Sequence, residues 1–555
     1  MHMRRYFWAL VIGVLITVTV TSCSSLQMLK RHNKKEKEPI TFVFYNADGV
    51  EDPWTDPVAK EITKATGVTL ETDYPVNGSA ERIALMIATG EYPDLIFAKG
   101  DAGTLIDSGS LIDLSELIDK YGPNIKKLYG DEYEKLRYSE DDPSIYQLSC
   151  SKINHEELET AGTAQLQWAV ILANDYKIPK TLADYENMIK KYLALNPSIE
   201  GKKTIGISMC CSDWHWYPTL SNPSGYIANG SPDNGQWIVD DNFNVQYKHA
   251  VEGQKEYYQW LNKMYAEGIL DPEFATQTYA DYLEKIASGR VLGLLDAFWD
   301  YQEAEQALCA EGKYDRTYAG LPVTMNSNIK CTALKEQGIA TGWGIGITKG
   351  CKDPVRAVQF LDWLCTDEAQ ILINWGIEGV NYYYDKNGKR CRTEEEIKRS
   401  EEDTNYADET GVGKHNYPFP CYGSKKKDEK GNSFNITSKE SVMKSYNIAE
   451  KKALENWGVQ MLTDIFPQAD SFPKAKYSPL WAQTFPVQVT NIEKKLDDIA
   501  WKGLIQCVAC KPEQFESNWS KLQQELKDAG REVAEEQITS IVKKQAQLWQ
   551  SEQED

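Results

Sequence analysis

From residue 39 onward, strand-like and helix-like segments alternate along the chain. Short apolar runs, typical of strands, are separated by longer segments that place apolar residues on one helical face. Gly67 and Gly90 follow the two helical segments, where a helix commonly ends. This order predicts parallel βαβ units covered by helices, and we assign an α/β lobe to residues 40–150. The predicted order is a strand at 40–45, a helix at 52–66, a strand at 68–74, a helix at 80–89 and a strand at 95–97.

Later segments continue this α/β character without a fixed repeat. The apolar run at 168–172 predicts a buried strand, and the charged, weakly patterned stretch at 393–440 predicts a long surface excursion. The remaining predicted elements are helices at 181–195, opened by Thr181, at 247–267 and at 354–374, strands at 290–295 and 344–348, and a helical tail from Pro512 with Phe515, Trp519, Leu522 and Leu526 on one face.

The N-terminus predicts export and a lipid anchor. Arg4 and Arg5 precede an apolar run at 7–20, which is short for a membrane span but suits a signal peptide. Small residues before Cys23 resemble the lipobox of bacterial lipoproteins, although Val20 stands where leucine is preferred. We therefore expect cleavage after residue 22, lipidation of Cys23 and a flexible tether at 23–38. An ordinary secretory signal or an uncleaved anchor is the alternative.

The net charge and the cysteines bear on the partners and the metal sites that the chain could have. A net charge of −21 argues against a nucleic-acid partner, because phosphate binding needs a basic face. With Cys23 lipidated, eleven of the twelve cysteines remain, and an exported chain can form disulfides. Cys507 and Cys510 have a C-x-x-C spacing, but no second pair follows to complete a four-ligand zinc site. The pairing of the cysteines stays open.

The sequence offers little support for catalysis. The chain has no Gly-x-Ser-x-Gly elbow, no HExxH motif and no Walker-type phosphate loop. The glycines at 342–346 lie before or within a strand, which is the wrong place for a dinucleotide loop. The histidines are scattered and show no metal-ligand spacing. We therefore predict a protein that is not an enzyme and that needs no cofactor or metal.

The aromatic residues suggest a ligand site. Trp214, Trp216 and Tyr217 cluster in a loop rich in Gly, Asn, Ser and Pro, and Trp299 follows the strand at 290–295. Tyr382 follows a glycine-rich turn. Rings in loops at strand ends can stack on the apolar faces of sugars, while acidic and amide groups bind the hydroxyls. The alternative for each ring is ordinary packing in the core or on the surface.

Several segments together resemble the family 1 extracellular solute-binding proteins, the lipoprotein receptors of carbohydrate ABC importers in Gram-positive bacteria. Their order and spacing match over nearly the whole mature chain. The segments are TGEYPDLI at 89–96, IPKTLADY at 178–185, LDPEF at 270–274, SGRVLG at 288–293 followed by Trp299, TKGCKDPVRA at 348–357, and WGIEGVNYY at 375–383 running into DKNGKR at 385–390.

The resemblance implies a two-lobed α/β fold of the periplasmic-binding-protein type, with discontinuous lobes joined by a hinge. We place lobe 1 at 39–160 plus 290–365, lobe 2 at 161–289 plus 366–510, and C-terminal helices at 511–555. Lobe closure would bury the ligand, and the closed form would dock on permease subunits. We expect a lipid-anchored monomer on the extracytoplasmic face of the membrane that binds a carbohydrate, most often an oligosaccharide in this family.

The resemblance also suggests where a ligand would bind and where the chain departs from its relatives. The expected ligand contacts are the rings of Trp214, Trp216, Trp299 and Tyr382 and the acids Asp94, Asp296 and Glu378. Each acid is equally well explained as a cap or turn residue. Relatives often carry an acidic calcium loop, but the matching stretch at 196–204 lacks most of the carboxylates, so we predict no calcium there. An exported glycan-active enzyme, or the same fold binding a peptide or another solute, remains open.

Overall fold

We describe the protein from a computed structural model that covers residues 38–49, 51–75, 79–160 and 162–551. The predicted signal peptide at 1–22 and Cys23 lie outside the described residues, as does the tether up to residue 37. None of the helices in the described ranges combines the length and the apolar character that a bilayer crossing requires.

The described chain contains strands and helices throughout. The strands are β1 Ile40–Asn46, β2 Val68–Asp73, β3 Leu95–Phe97, β4 Gln147–Ser149, β5 Lys152–Ile153, β6 Gly162–Gln167, β7 Ser198–Ile199, β8 Lys202–Lys203, β9 Ile205–Ser208, β10 Trp237–Val239, β11 Val245–Tyr247, β12 Val291–Ala297, β13 Tyr318–Leu321, β14 Gly344–Ile347, β15 Tyr383–Tyr384, β16 Arg390–Cys391 and β17 Cys421–Tyr422. The helices are α1 Pro57–Thr66, α2 Ser79–Thr89, α3 Ala102–Asp107, α4 Ser115–Tyr121, α5 Pro123–Tyr129, α6 Trp168–Leu172, α7 Leu182–Leu195, α8 Asn222–Asn229, α9 Gln254–Ala266, α10 Tyr279–Ala287, α11 Phe298–Ala310, α12 Pro354–Leu364, α13 Asp367–Trp375, α14 Glu394–Glu402, α15 Tyr406–Thr410, α16 Lys439–Ser445, α17 Ile448–Trp457, α18 Val487–Ala509, α19 Phe515–Asp528 and α20 Arg531–Ser551.

Lobe 1 is built on a five-stranded sheet with the order β2-β1-β3-β14-β4. β1 is parallel to β2 and β3, and β14 runs antiparallel to β3 and β4. Local sequence sets the first βαβ unit: Asp56 caps α1 by accepting from the amide of Ala59, and Gly67 ends it with a left-handed φ of 71°. The predicted α/β start of the chain is confirmed.

Lobe 2 is built on a four-stranded sheet with the order β13-β6-β12-β9. β12 is parallel to β9 and antiparallel to β6. The predicted tail face is confirmed, because Phe515, Trp519, Leu522 and Leu526 are buried on α19 and belong to the lobe 2 core. The predicted helix opened by Thr181 is confirmed as α7, where Thr181 and Asp184 form a capping box.

The connections between the lobes determine which sheet edges face each other. β4 ends at Ser149, opposite Gly344 at the start of β14, so both lie at the edge where β1 and β3 end. β6 starts at Gly162, opposite Ala297 at the end of β12. The chain runs from β4 to β6 and later from β13 to β14, and both connections join these two edges. The carboxyl ends of the parallel strands in the two lobes therefore face one another, which is where α/β folds bind ligands.

Some strands and helices belong to a different lobe from the one that we predicted for them. β12 and β13, which we predicted for lobe 1 within 290–365, pair with β6 in the lobe 2 sheet. In the predicted lobe 2 stretch 366–510, Ile373 and Phe419 instead pack into the lobe 1 core. Pairing partners of this kind are set by long-range contacts, which local patterns do not reveal.

Several predicted elements also need correction. The run at 168–172 is helix α6 and follows strand β6, because a short buried apolar run fits either structure. The helix predicted at 354–374 is divided into α12 and α13, and Thr366 caps α13. The helix predicted at 247–267 begins only at Gln254. The stretch 393–440 is anchored in the protein interior and does not lie only on the surface, since Tyr422 and Phe434 are buried.

Candidate functional site

Two tryptophans form an exposed stack at the carboxyl edge of the lobe 2 sheet. Trp299 follows the end of β12, and Trp214 lies in the loop that follows β9. Their ring centroids are 6.1 Å apart and their planes differ by 9°. Trp214 is 54% exposed and Trp299 is 57% exposed, although large apolar side chains are usually covered. Both therefore have ring surface available to a ligand.

Two further rings continue the stack into the lobe. The ring centroid of His215 lies 3.9 Å from that of Trp214 on one face and 3.9 Å from that of Tyr279 on the other. Its Nδ1 is 2.6 Å from a carboxylate oxygen of Asp213, and its Nε2 is 3.6 Å from Asp300. The thiol of Cys210 completes a group with the spacing of metal ligands, within 4.8 Å of Asp213 and His215. These contacts hold the His215 ring against Trp214.

The carboxyl groups of Asp296 and Asp300 are buried beside the aromatic stack. Asp296, at the end of β12, accepts a 2.6 Å hydrogen bond from the hydroxyl of Tyr282. Burial, reinforced by the neighbouring Asp300 carboxylate, raises the pKa of Asp296 well above its usual range. Burial raises the pKa of Asp300 to about 6, while His215 opposes that rise. Asp296 is 1% exposed, so it holds the site from behind and does not offer an open carboxylate.

The facing edge of lobe 1 carries a mixed charged and aromatic group. Lys99, just after β3, forms a 2.7 Å ion pair with Asp48, just after β1, and lies 4.4 Å from the ring centroid of Trp343. Tyr417 donates a 2.7 Å hydrogen bond to the other oxygen of Asp48. Trp481, in the short 3-10 helix Leu480–Ala482, packs edge-on against Trp343 with ring centroids 4.7 Å apart.

The two edges together suit a polar ligand with apolar faces. Lobe 2 offers flat rings, and lobe 1 offers an ammonium group, a carboxylate and a phenol hydroxyl beside further rings. Stacking on the rings and hydrogen bonding to hydroxyls is the combination that a sugar requires.

Two of the other rings predicted to contact ligand are covered by neighbouring side chains. Trp216 is 2% exposed and stacks on Trp501 in the lobe 2 core. Tyr382 is 8% exposed and packs beside Trp375 and Arg390. These two rings are structural, because neighbouring side chains already cover them.

The two remaining predicted acids are explained by local structure. Asp94 is buried at the start of β3, where it accepts from the amides of Val43 and Lys352 and pairs with the Lys352 ammonium group at 3.0 Å. It therefore joins strands at the edge opposite the candidate site. Glu378 is exposed in the loop after α13, and its backbone bridges to Tyr382.

The stretch matching a calcium loop forms a small hairpin of β7 and β8. Glu200 and Gly201 make its turn with positive φ angles of 50° and 79°. The Glu200 carboxylate lies 3.0 Å from the ammonium group of Lys313. A lysine at this position competes with a cation for the acid of the turn. The absence of calcium at 196–204 stays a prediction.

Sequence reasoning missed the residues that approach from other elements. Tyr279 starts α10, and its contact with His215 depends on how that helix packs. Asp48 and Lys99 could have been found, because each lies just after a predicted strand of a parallel sheet. Trp481 gave no such signal, since it lies in a short 3-10 helix far along the chain.

Comparison with known proteins places this architecture among the solute-binding proteins. Residues 58–375, more than half of the chain, match the family model described as bacterial extracellular solute-binding protein. An uncharacterised protein of Niallia circulans is 30% identical over 24% of this chain and 51% of its own length. Lipoprotein LipO of Bacillus subtilis is 22% identical over 59% of this chain and 64% of its own length. The chain thus spans about half to two thirds of these curated relatives.

Solved structures match over nearly the whole chain. The alginate-binding protein AlgQ2, in a crystal structure without calcium ion, has a TM-score of 0.64 at 16% identity, covering 91% of this chain and 98% of its own. FusA, an ABC-transporter substrate-binding protein of Streptococcus pneumoniae in complex with kestose, has a TM-score of 0.64 at 16% identity, covering 93% and 99%. These likenesses establish the two-lobed fold.

Proposed function

Because this chain belongs to the bacterial extracellular solute-binding proteins, we propose that it is the receptor of a carbohydrate ABC importer. It captures an oligosaccharide between its two lobes without altering it chemically and delivers it to membrane permease subunits. The protein acts as a monomer and is held on the extracytoplasmic face by lipid on Cys23.

The observation that carries this proposal is the exposed pair of Trp214 and Trp299, whose ring planes are nearly parallel. It lies on the sheet edge that faces the polar and aromatic group around Lys99 and Trp343. Sugar rings present apolar faces to aromatic rings and hydroxyls to charged groups. The lobe 2 edge would therefore bind the apolar faces, and the lobe 1 edge would bind the hydroxyls. AlgQ2 and FusA, which share the fold, are described as binding alginate and kestose, and this agrees with the proposed ligand class.

The lipid anchor is tested separately from the ligand. Labelling cells with a fatty-acid analogue should mark the protein, and Cys23→Ser should remove the label and release the protein into the medium. A labelled Cys23→Ser variant would contradict the proposed anchor, and LipO, a lipoprotein by name, serves as a positive control.

The ligand class is tested by a thermal-shift screen over oligosaccharides and peptides. A ligand that binds only the folded protein at 100 times its Kd stabilises it by about 2.7 kcal/mol, which is easily seen as a higher Tm. We expect at least one oligosaccharide to raise the Tm and to be recovered intact. A shift caused only by peptides, or the release of cleaved products, would contradict the proposal.

A further inference from the structure

The loop after β9 brings together three side chains of different chemistry. Cys210 and Asp213 are separated by two residues, and His215 follows two positions later. The sulfur, one carboxylate oxygen and one ring nitrogen all lie within 4.8 Å of one another. A turn after β9 folds these residues back on themselves, so a spacing that looks unremarkable in the sequence becomes a cluster.

These three donors match the preferences of one class of metal ion. Thiolate and imidazole ligands select zinc and related transition metals, whereas calcium and magnesium take oxygen ligands. Bond lengths of about 2.0–2.3 Å to zinc place neighbouring ligand atoms about 3.3–3.8 Å apart in a tetrahedral site. The three donor atoms lie within 4.8 Å of one another, so small side-chain movements bring them to these separations. The 2.6 Å contact between Asp213 and His215 must open slightly for this.

We propose that Cys210, Asp213 and His215 form a binding site for a zinc-class divalent metal ion at the edge of lobe 2. The thiol of Cys210 loses its proton to solvent when its sulfur binds the metal. The Asp213 side chain is 44% exposed, so the site opens toward solvent on that side, and a water molecule can take the fourth position.

The surroundings of His215 support this assignment. A histidine that binds a metal through one ring nitrogen commonly donates a hydrogen bond from the other to a carboxylate. With the metal on the Nδ1 side, where Asp213 lies, Nε2 points to the carboxylate of Asp300 at 3.6 Å. The ring is also held between Trp214 and Tyr279. His215 is therefore oriented before any metal arrives.

The site is tested by metal binding to the purified, chelator-treated protein, without any saccharide. We expect calorimetry to give one zinc ion per chain. Cobalt should produce a thiolate-to-metal charge-transfer band in the near ultraviolet, and zinc should change the fluorescence of the adjacent Trp214. Binding of calcium alone, or a cobalt complex without the thiolate band, would overturn the proposal.

Variants locate the site and separate it from binding elsewhere. Cys210→Ser should abolish the cobalt band, and Asp300→Asn should weaken zinc binding by about 10–100-fold through the lost support of His215. The half-exposed Asp213→Asn leaves the core intact and should also weaken binding. Cys391→Ser and His155→Gln are matched controls in lobe 1 and in the connection between the lobes, and they should bind zinc normally. If Asp213→Asn binds zinc as tightly as the unaltered protein, the proposed site is refuted. This outcome does not depend on whether a saccharide ligand is found.

Discussion

Replacing Trp299 by alanine separates a ligand contact from a folding contact. Trp299 is 57% exposed, and its main ring neighbour is the equally exposed Trp214. An aromatic pair of this kind contributes about 0.5–1.5 kcal/mol, so the loss of folding stability should be small. The affinity for the saccharide should fall much more than the stability.

The expected loss of affinity follows from the exposed area. A tryptophan carries at most about 250 Å² of surface, so 57% exposure leaves about 140 Å² accessible. A sugar stacked on one face would cover about half of this, or about 70 Å². At about 25 cal/mol per Å² the contact contributes about 1.8 kcal/mol. Trp299→Ala should therefore raise the Kd by about 20-fold.

The assay is a calorimetric titration with the best oligosaccharide of the screen, together with a thermal melt of each variant. Tyr383→Ala removes a ring that is 44% exposed on the β15–β16 hairpin, outside the two sheets, and serves as the matched control. Its Kd should not change. An unchanged Kd for Trp299→Ala in a folded protein would refute the reasoning about the stack.

Three further predictions concern stability. Trp216→Ala should cost about 3–5 kcal/mol of unfolding free energy in chemical denaturation, because it empties a buried site beside Trp501, and a loss below about 1 kcal/mol would contradict the core assignment. Burial raises the pKa of Glu305 from 4.5 to about 8. Between these pH values the folded protein keeps a proton that the unfolded chain releases. The contribution of Glu305 to the free energy of unfolding therefore falls as the pH rises from about 4.5 to 8. Glu305→Gln should therefore gain stability relative to the unaltered protein between about pH 5 and pH 8 in paired thermal melts, and a constant difference would contradict the raised pKa. Asp362→Ala should cost about 2–4 kcal/mol in denaturant melts, because Asp362 accepts from the amides of Asn124 and Ile125 at the start of α5, whereas Asp362→Asn should lose less.

The sequence was sufficient to predict the fold class and much of the local structure. Gly67 and Thr181 mark helix ends whose chemistry is local, so they were predicted correctly. The apolar run at 168–172 was assigned wrongly because a short buried segment fits a helix or a strand. The sheet to which β12 belongs depends on its pairing with β6, more than a hundred residues earlier, and no local pattern encodes that pairing.

The candidate site likewise contains residues that the sequence predicts and residues that only the three-dimensional packing reveals. Trp214 lies in the loop after β9 and Trp299 in the first turn of α11, directly after β12, and both rings are exposed. Their contact with ligand stays a prediction. Trp216, two residues from Trp214, points into the core, and only three-dimensional packing distinguishes the two rings. Trp481 and Tyr279 reach the site from distant elements, so neither could be placed from the sequence.

The central claim is that an oligosaccharide binds between the two lobes and closes them. Small-angle X-ray scattering of the purified protein, with and without a saturating oligosaccharide chosen by the thermal-shift screen, tests it most directly. We predict a smaller radius of gyration in the complex, and a weaker effect at the same concentration for Trp299→Ala. A tightly bound saccharide that leaves the radius of gyration unchanged would contradict capture by closure of the lobes.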